Sequence, residues 1–155
     1  MKTALFPGSF DPFTKGHEDL VRRALQLFDK VIIAIGDNSS KTNLFSPEKR
    51  EAVIKKVFEG ENKVLVIVYK GLAVDCCKKA GAAFILRGLR NTNDFDFERP
   101  IAQMNHDLDA SIETVFIMTS PHLSHISSTI VRDIINHGGN ISRFVPGAIA
   151  DYLIK

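Results

Sequence analysis

Short runs of Val, Ile, Leu and Ala recur along the chain, and each is followed by a stretch with helical periodicity. Residues 3–6, 31–35, 64–69, 83–86 and 114–118 read as strands. Strands that are apolar on both sides and are joined by helices belong in a parallel sheet covered on both faces. Between them, residues 14–28 carry Val21, Ala24, Leu25 and Phe28 on one helical face. Ser46-Pro47-Glu48 is a helix start, with a cap residue, a proline in the first turn and then an acid. Ile54, Val57 and Phe58 continue that helix. Ala73, Cys76, Cys77 and Ala80 mark a short helix. Phe97, Ile101, Met104 and Leu108 mark another. Ile130, Val131, Ile134 and Ile135 lie on a helix that stops at His137-Gly138-Gly139, and Pro146 opens a last one.

Five strands in this alternation predict an α/β fold: a Rossmann-like, doubly wound five-stranded parallel sheet with helices on both faces. A length of 155 residues favours a single domain spanning 1–155. No repeat, linker or low-complexity tract interrupts it. Hydrophobic residues make up 45% of the chain and charged residues 25%, which excludes wholesale disorder. A net charge of +2, with Lys and Arg spread among acids, gives no concentrated basic face for nucleic acid. The longest apolar runs are too short to span a bilayer. The adjacent Cys76 and Cys77 make neither a disulfide nor a zinc site, and are expected to be small core residues. With no signal-peptide pattern, the chain reads as cytoplasmic with reduced thiols.

Ligands of such a sheet lie at the C-terminal strand ends. Four segments there carry polar chemistry. The first runs from Phe6 to His17, between the first strand and the first helix. Thr14 and His17 are three residues apart, on one side of a first helical turn. Gly16 between them lets a phosphate approach the backbone, and the helix start supplies free N–H groups. His17 can donate to a phosphate oxygen. Taken alone, the segment equally suits a proline-rich turn with a capping threonine. The second is Ser127-Ser128-Thr129, three hydroxyls at a helix start, with Arg132 one turn on; an ordinary cap needs only one hydroxyl. The third is Arg87-Gly88-Leu89-Arg90 after the fourth strand, where an arginine fork suits phosphate but a solvated basic turn is as simple. The fourth is Lys41, which alone would be a surface lysine. Convergence decides between these readings: segments after strands one, two, four and five project to one sheet edge and together make a polyphosphate site. No carboxylate cluster or Cys/His set has metal-ligand spacing there, so any Mg2+ is expected to ride on the phosphates.

In combination the motifs resemble the bacterial-type phosphopantetheine adenylyltransferases, within a nucleotidyltransferase superfamily whose pattern is His-x-Gly-His. It stands here as Thr14-Lys15-Gly16-His17. Pro7-Gly8-Ser9-Phe10-Asp11-Pro12, Arg87-Gly88-Leu89-Arg90, Asp94-Phe95 with Glu98, Met104-Asn105 and Ile126-Ser127-Ser128-Thr129 follow in the family's order, over essentially the whole chain. The resemblance implies adenylyl transfer from ATP to 4′-phosphopantetheine, giving dephospho-coenzyme A and pyrophosphate by in-line attack without a covalent intermediate. It implies that His17 and Lys41 are catalytic. Ser9, Lys41, Ala73 and Arg87 would bind the acceptor. Ser9, Phe10, His17, Gly88, Leu89, Arg90, Glu98, Leu123, Ser124, His125, Ile126, Ser127, Ser128 and Thr129 would bind ATP. A homohexamer and feedback inhibition by coenzyme A follow from the same resemblance. Phe10 and Phe95 are the phenylalanines expected near the ligand. Leu123, His125, Ser9 and the pair Arg99-Pro100 depart from the family's frequent residues; Pro100 fits a helix only if that helix begins close by. Transferases with glycerol phosphate or nicotinate mononucleotide as acceptor, and a silent nucleotide sensor, are the competing readings. Thr14, Arg87 and Arg90 argue against the first two, and the joint presence of His17, Lys41 and Arg87 argues against the third.

Overall fold

The computed structural model describes residues 1–37 and 42–153. Five parallel strands form one sheet in the order β3-β2-β1-β4-β5. They are β1 (Thr3–Gly8), β2 (Lys30–Gly36), β3 (Val64–Tyr69), β4 (Phe84–Leu89) and β5 (Glu113–Met118). The helices are α1 (Lys15–Ala24), α2 (Pro47–Val57), α3 (Ala73–Lys79), α4 (Thr92–Leu108), α5 (Ser128–Asn136) and α6 (Gly147–Leu153). The chain runs outward from central β1 through β2 to β3, then returns to β4 on the other side of β1. Chain direction across the sheet therefore reverses between β1 and β4, and a crevice opens there at the C-terminal strand ends.

Alternating strand residues fill two cores, which is why the strands read as continuous apolar runs. Ala4, Phe6, Val31, Ile33 and Ile35 face a larger cluster with α1, α2, α5 and α6. Leu5, Ile32, Ala34 and Ile85 face a smaller one with Val74 and Cys77 of α3. Both cysteines are buried and unbridged. Burial raises the thiol pKa of each, that of Cys77 to about 11, and the Cys77 thiol donates to the Ala82 carbonyl at 3.2 Å. They are structural, as expected. No helix among the described residues is long and apolar enough to cross a membrane.

Side-chain caps fix the starts of α2, α4 and α5. Ser46, Asn91 and Ser127 accept from the backbone N–H groups of Lys49, Asp94 and Ile130. Two expectations need correction. The first helix ends at Ala24, and Phe28 reaches the core from the turn that follows. α4 begins at Thr92, well before the apolar residues that announced it, so Pro100 sits in its interior. That proline is on the solvent side, where water can serve the carbonyl it leaves unpaired. The faces of α4 are inverted relative to an ordinary amphipathic helix. Its one buried residue is Glu98, whereas Phe97, Met104 and Leu108 are 68%, 63% and 57% exposed. α4 thus buries a carboxylate and turns apolar side chains outward.

Candidate active site

Two cavities open at the C-terminal strand ends. One, of about 320 Å³, is bordered by the β1–α1 loop, the start of α1, the end of β4, Glu98 of α4 and the start of α5. The other, of about 870 Å³, runs towards Tyr69, Ala73, Ile101 and Asn105. Pro7, Gly8, Ser9 and Arg87 border both, so the two meet at the tip of β1.

The β1–α1 loop is tightly folded. Phe10 has a φ of 48°, a left-handed conformation that a bulky residue adopts only under tertiary constraint. Its ring lies over Gly8, where an added Cβ would come within 2.7 Å of Phe10 Cζ. Phe10, Phe13 and Phe6 surround the imidazole of His17 at centroid distances of 5.1, 5.3 and 6.1 Å. Enclosure by these rings lowers the His17 pKa to about 4, and the positive charges of Arg87 and Arg90 push the same way.

His17 also belongs to the helix cap. The Thr14 hydroxyl accepts from the His17 N–H at 3.4 Å, and His17 Nδ1 accepts from the Thr14 N–H at 3.0 Å. This is a capping box with imidazole in the place of the usual glutamate. Nδ1 is an acceptor, so in the neutral ring the proton resides on Nε2. The Lys15 N–H donates to the Phe144 carbonyl at 2.9 Å, while the Gly16 N–H has no protein acceptor among the described residues. The first turn of α1 thus offers a phosphate one amide and one imidazole N–H.

At the end of β4, Arg87 grips Glu98 in a bidentate ion pair and donates Nη1 to the Pro7 carbonyl at 2.7 Å. Three of its five N–H groups are used, and two remain for an anion. Arg90 forks onto Asp94, with both contacts at 3.0 Å, and that pairing lowers the Asp94 pKa. The carboxylates aim the arginines and are themselves neutralised. Among the described residues no three His, Cys, Asp or Glu side chains gather to hold a metal. The donors that line the cavity suit phosphate oxygens.

The three hydroxyls after β5 have different tasks. Ser127 and Thr129 accept, from the Ile130 N–H and from Arg132 Nη2, so each keeps its own O–H to donate. Ser128 donates to the Pro12 carbonyl at 2.8 Å and ties α5 to the β1–α1 loop. Arg132, expected to face phosphate, instead donates to the Asp11 carbonyl at 2.8 Å and does not border the cavity.

The structure therefore brings together Ser9, Phe10, His17, Arg87, Gly88, Arg90, Glu98, Ile126, Ser127, Ser128 and Thr129 around the smaller cavity, and Ala73 on the larger. Leu89 is packed inward, and Leu123, Ser124 and His125 lie in the turn before Ile126, outside the cavity lining. Phe95, expected near the ligand, instead packs edge to face on Phe116 with centroids 5.7 Å apart and borders neither cavity. Lys41 lies outside the described residues. Sequence reasoning missed Arg50 and gave Asp11 no role beyond its place in the motif; Asp11 is buried within the β1–α1 loop, and Arg50 is buried against that loop's Ser9 carbonyl.

Residues 5–134 match the cytidylyltransferase-like family. A phosphopantetheine adenylyltransferase of Flavobacterium psychrophilum is 54% identical over 149 residues, which cover 96% of this chain and 98% of that one. The chain belongs to the phosphopantetheine adenylyltransferases. A member from Cytophaga hutchinsonii is 54% identical over 94% of this chain and 97% of its own. One from Limosilactobacillus reuteri is 46% identical over 100% of this chain and 90% of its own. The fold extends beyond the phosphopantetheine adenylyltransferases. A Vibrio parahaemolyticus structure described as a nicotinate-nucleotide adenylyltransferase superimposes with a TM-score of 0.71 over 100% of both chains, at 17% identity.

Proposed function

We propose that this chain, as one nucleotidyltransferase domain spanning 1–155, transfers the adenylyl group of ATP to 4′-phosphopantetheine, yielding dephospho-coenzyme A and pyrophosphate. The observation that carries the reading is the meeting of the two cavities at Ser9 and Arg87. The smaller holds the triphosphate between two helix N-termini, and the larger takes the pantetheine arm along Ala73. An acceptor phosphate at the junction faces the α-phosphorus.

The chemistry needs no general base. A phosphate monoester has its second pKa near 6, so at neutral pH its attacking oxygen already carries charge. That oxygen forms a bond to the α-phosphorus, the bond to the bridging oxygen breaks in line, and pyrophosphate leaves with its electron pair. The protein's work is to align the two anions and to stabilise charge that grows on the α-phosphate. Neutral His17 supplies an Nε2–H donor for that charge. Arg90, Ser127, Thr129 and the Gly16 amide hold the phosphates of ATP, with the adenosine towards residues 123–126. Ser9, Arg87 and Lys41 hold the acceptor phosphate. Mg2+ enters with the nucleotide.

The exposed apolar face of α4 supports assembly into a homohexamer. Inhibition by coenzyme A fits a product-like molecule in the acceptor cavity, and the setting is cytoplasmic. Pyrophosphate release from MgATP tests the reading, with 4′-phosphopantetheine as acceptor and 4′-phosphopantothenate, glycerol 3-phosphate and nicotinate mononucleotide as controls. Release with the first alone, together with the mass of dephospho-coenzyme A, is expected. Release with a control alone would overturn the choice of acceptor.

A further inference from the structure

Arg50 is the most completely hidden charge in the described protein, at 1% exposure, on the side of α2 that carries the core residues Val53 and Ile54. No carboxylate forms an ion pair with it among the described residues. It spends its guanidinium on backbone carbonyls: Nε donates to Phe45 at 3.0 Å and to Ser46 at 3.4 Å, and Nη1 donates to Ser9. Nη2 has no partner. Isolating a guanidinium from water, with both N–H groups of Nη2 left unsatisfied, is costly, and an apolar side chain at this position would avoid it. Asp11, also buried, works the same seam from the other side. Its carboxylate accepts from the Leu44 N–H at 2.7 Å and the Phe45 N–H at 2.9 Å. Two oppositely charged side chains thus lock the segment 44–46 to the loop 9–11 through main-chain atoms.

The larger cavity is reached from both sides of this seam. Ser9 forms one wall, where the two cavities meet, and Asn43, next to the clamped Leu44, forms another. We infer that Arg50 is a positioning residue for the acceptor phosphate: by holding the Ser9 backbone at a fixed distance from the segment 43–46, it sets the width of the anion-binding end of the acceptor cavity. A planar fork can reach carbonyls of two segments at once, which a lysine ammonium on a flexible stem cannot match in geometry.

The inference rests on reading the larger cavity as the acceptor site. The test is Arg50→Lys, with steady-state kinetics in which MgATP and 4′-phosphopantetheine are varied separately. The expected result is a KM for 4′-phosphopantetheine raised at least tenfold, with the KM for ATP changed less than twofold and cooperative thermal unfolding retained. A fall in kcat with both KM values unchanged means a loss of folded enzyme only and overturns the inference, as does an equal rise in both. Should Arg50→Lys fail to fold, Asp11→Asn loosens the same seam from the other side; the same selective rise is expected, and an unchanged acceptor KM overturns the inference. Failure of the acceptor reading appears in the wild-type enzyme, as absence of turnover with 4′-phosphopantetheine, and the inference then falls with it.

Discussion

His17 Nδ1 lies 3.0 Å from the backbone nitrogen of Thr14, so the cap of α1 dictates which imidazole nitrogen carries the proton. A backbone N–H can only donate, and Nδ1 must accept. The ring is neutral at physiological pH because burial lowers its pKa to about 4. Nitrogen-15 NMR should find Nδ1 bare and Nε2 protonated at neutral pH, with a titration midpoint near 4. A midpoint near the ordinary 6.5 would refute this. Between pH 6.5 and about 4 the unfolded chain binds a proton at this position and the folded chain does not. Stability should therefore fall as pH drops through that window, and His17→Gln should remove that part of the slope. His17→Ala, which removes the donor outright, should lower kcat by roughly 10²–10³-fold, as loss of one oxyanion donor does elsewhere, with near-normal circular dichroism. Near-wild-type turnover would remove His17 from the mechanism.

Gly16→Ala separates ligand space from protein packing. An added Cβ would stand 3.6 Å from the Thr14 hydroxyl and 4.0 Å from the Leu123 carbonyl, which are ordinary contacts. Thermal stability should be unchanged or slightly raised, since Ala is favoured over Gly in a helix by about 0.5–1 kcal/mol. The methyl group would nevertheless crowd the one free amide of the first turn, so the KM for ATP should rise about tenfold, the scale of a lost charge-assisted hydrogen bond. An unchanged KM would show that phosphate does not approach this amide.

Arg87→Lys keeps the charge and loses the fork. A lysine cannot satisfy Glu98, the Pro7 carbonyl and an incoming phosphate together. Acceptor KM should rise about tenfold, and stability should fall by about 1–3 kcal/mol because the buried Glu98 carboxylate is left partly unpaired. Calorimetric titration with 4′-phosphopantetheine and denaturant melts would check the two effects separately. Wild-type acceptor affinity would exclude Arg87 from the phosphate grip.

The outward apolar face of α4 predicts self-association. Phe97→Glu and Leu108→Glu place charges on that face without touching either cavity. Each should shift the mass measured by light scattering towards smaller species while the secondary structure is kept. An unaltered mass for both would remove α4 from the subunit contact.

The strands were legible because each is apolar on both faces, and the candidate phosphate-binding segments were legible because every one follows a strand. α4 was misread at its start because its cap, Asn91, sits directly behind Arg90 and precedes any apolar residue of the helix. The buried roles of Arg50 and Asp11 were missed because arginine and aspartate are usually solvated. A signal did exist: Arg50 holds the first position of the helical stripe completed by Val53, Ile54 and Val57, where a charge has no place unless the fold uses it. The pairing of Arg87 with Glu98 is eleven residues apart across a strand–helix turn, a separation that no local periodicity encodes.

The pocket near β1 is stitched from opposite ends of the chain: Ser128 holds the Pro12 carbonyl, Arg132 holds the Asp11 carbonyl, and Phe144 receives the Lys15 N–H. During translation the first turn of α1 emerges long before the three groups that fix it. A ribosome-tethered chain halted ahead of Ser128 would own His17 and both arginines yet lack the tether that shapes their pocket. Nucleotide affinity is thus expected to appear only after Phe144 has emerged, and ATP retention by nascent chains of increasing length would time the closing of the fold.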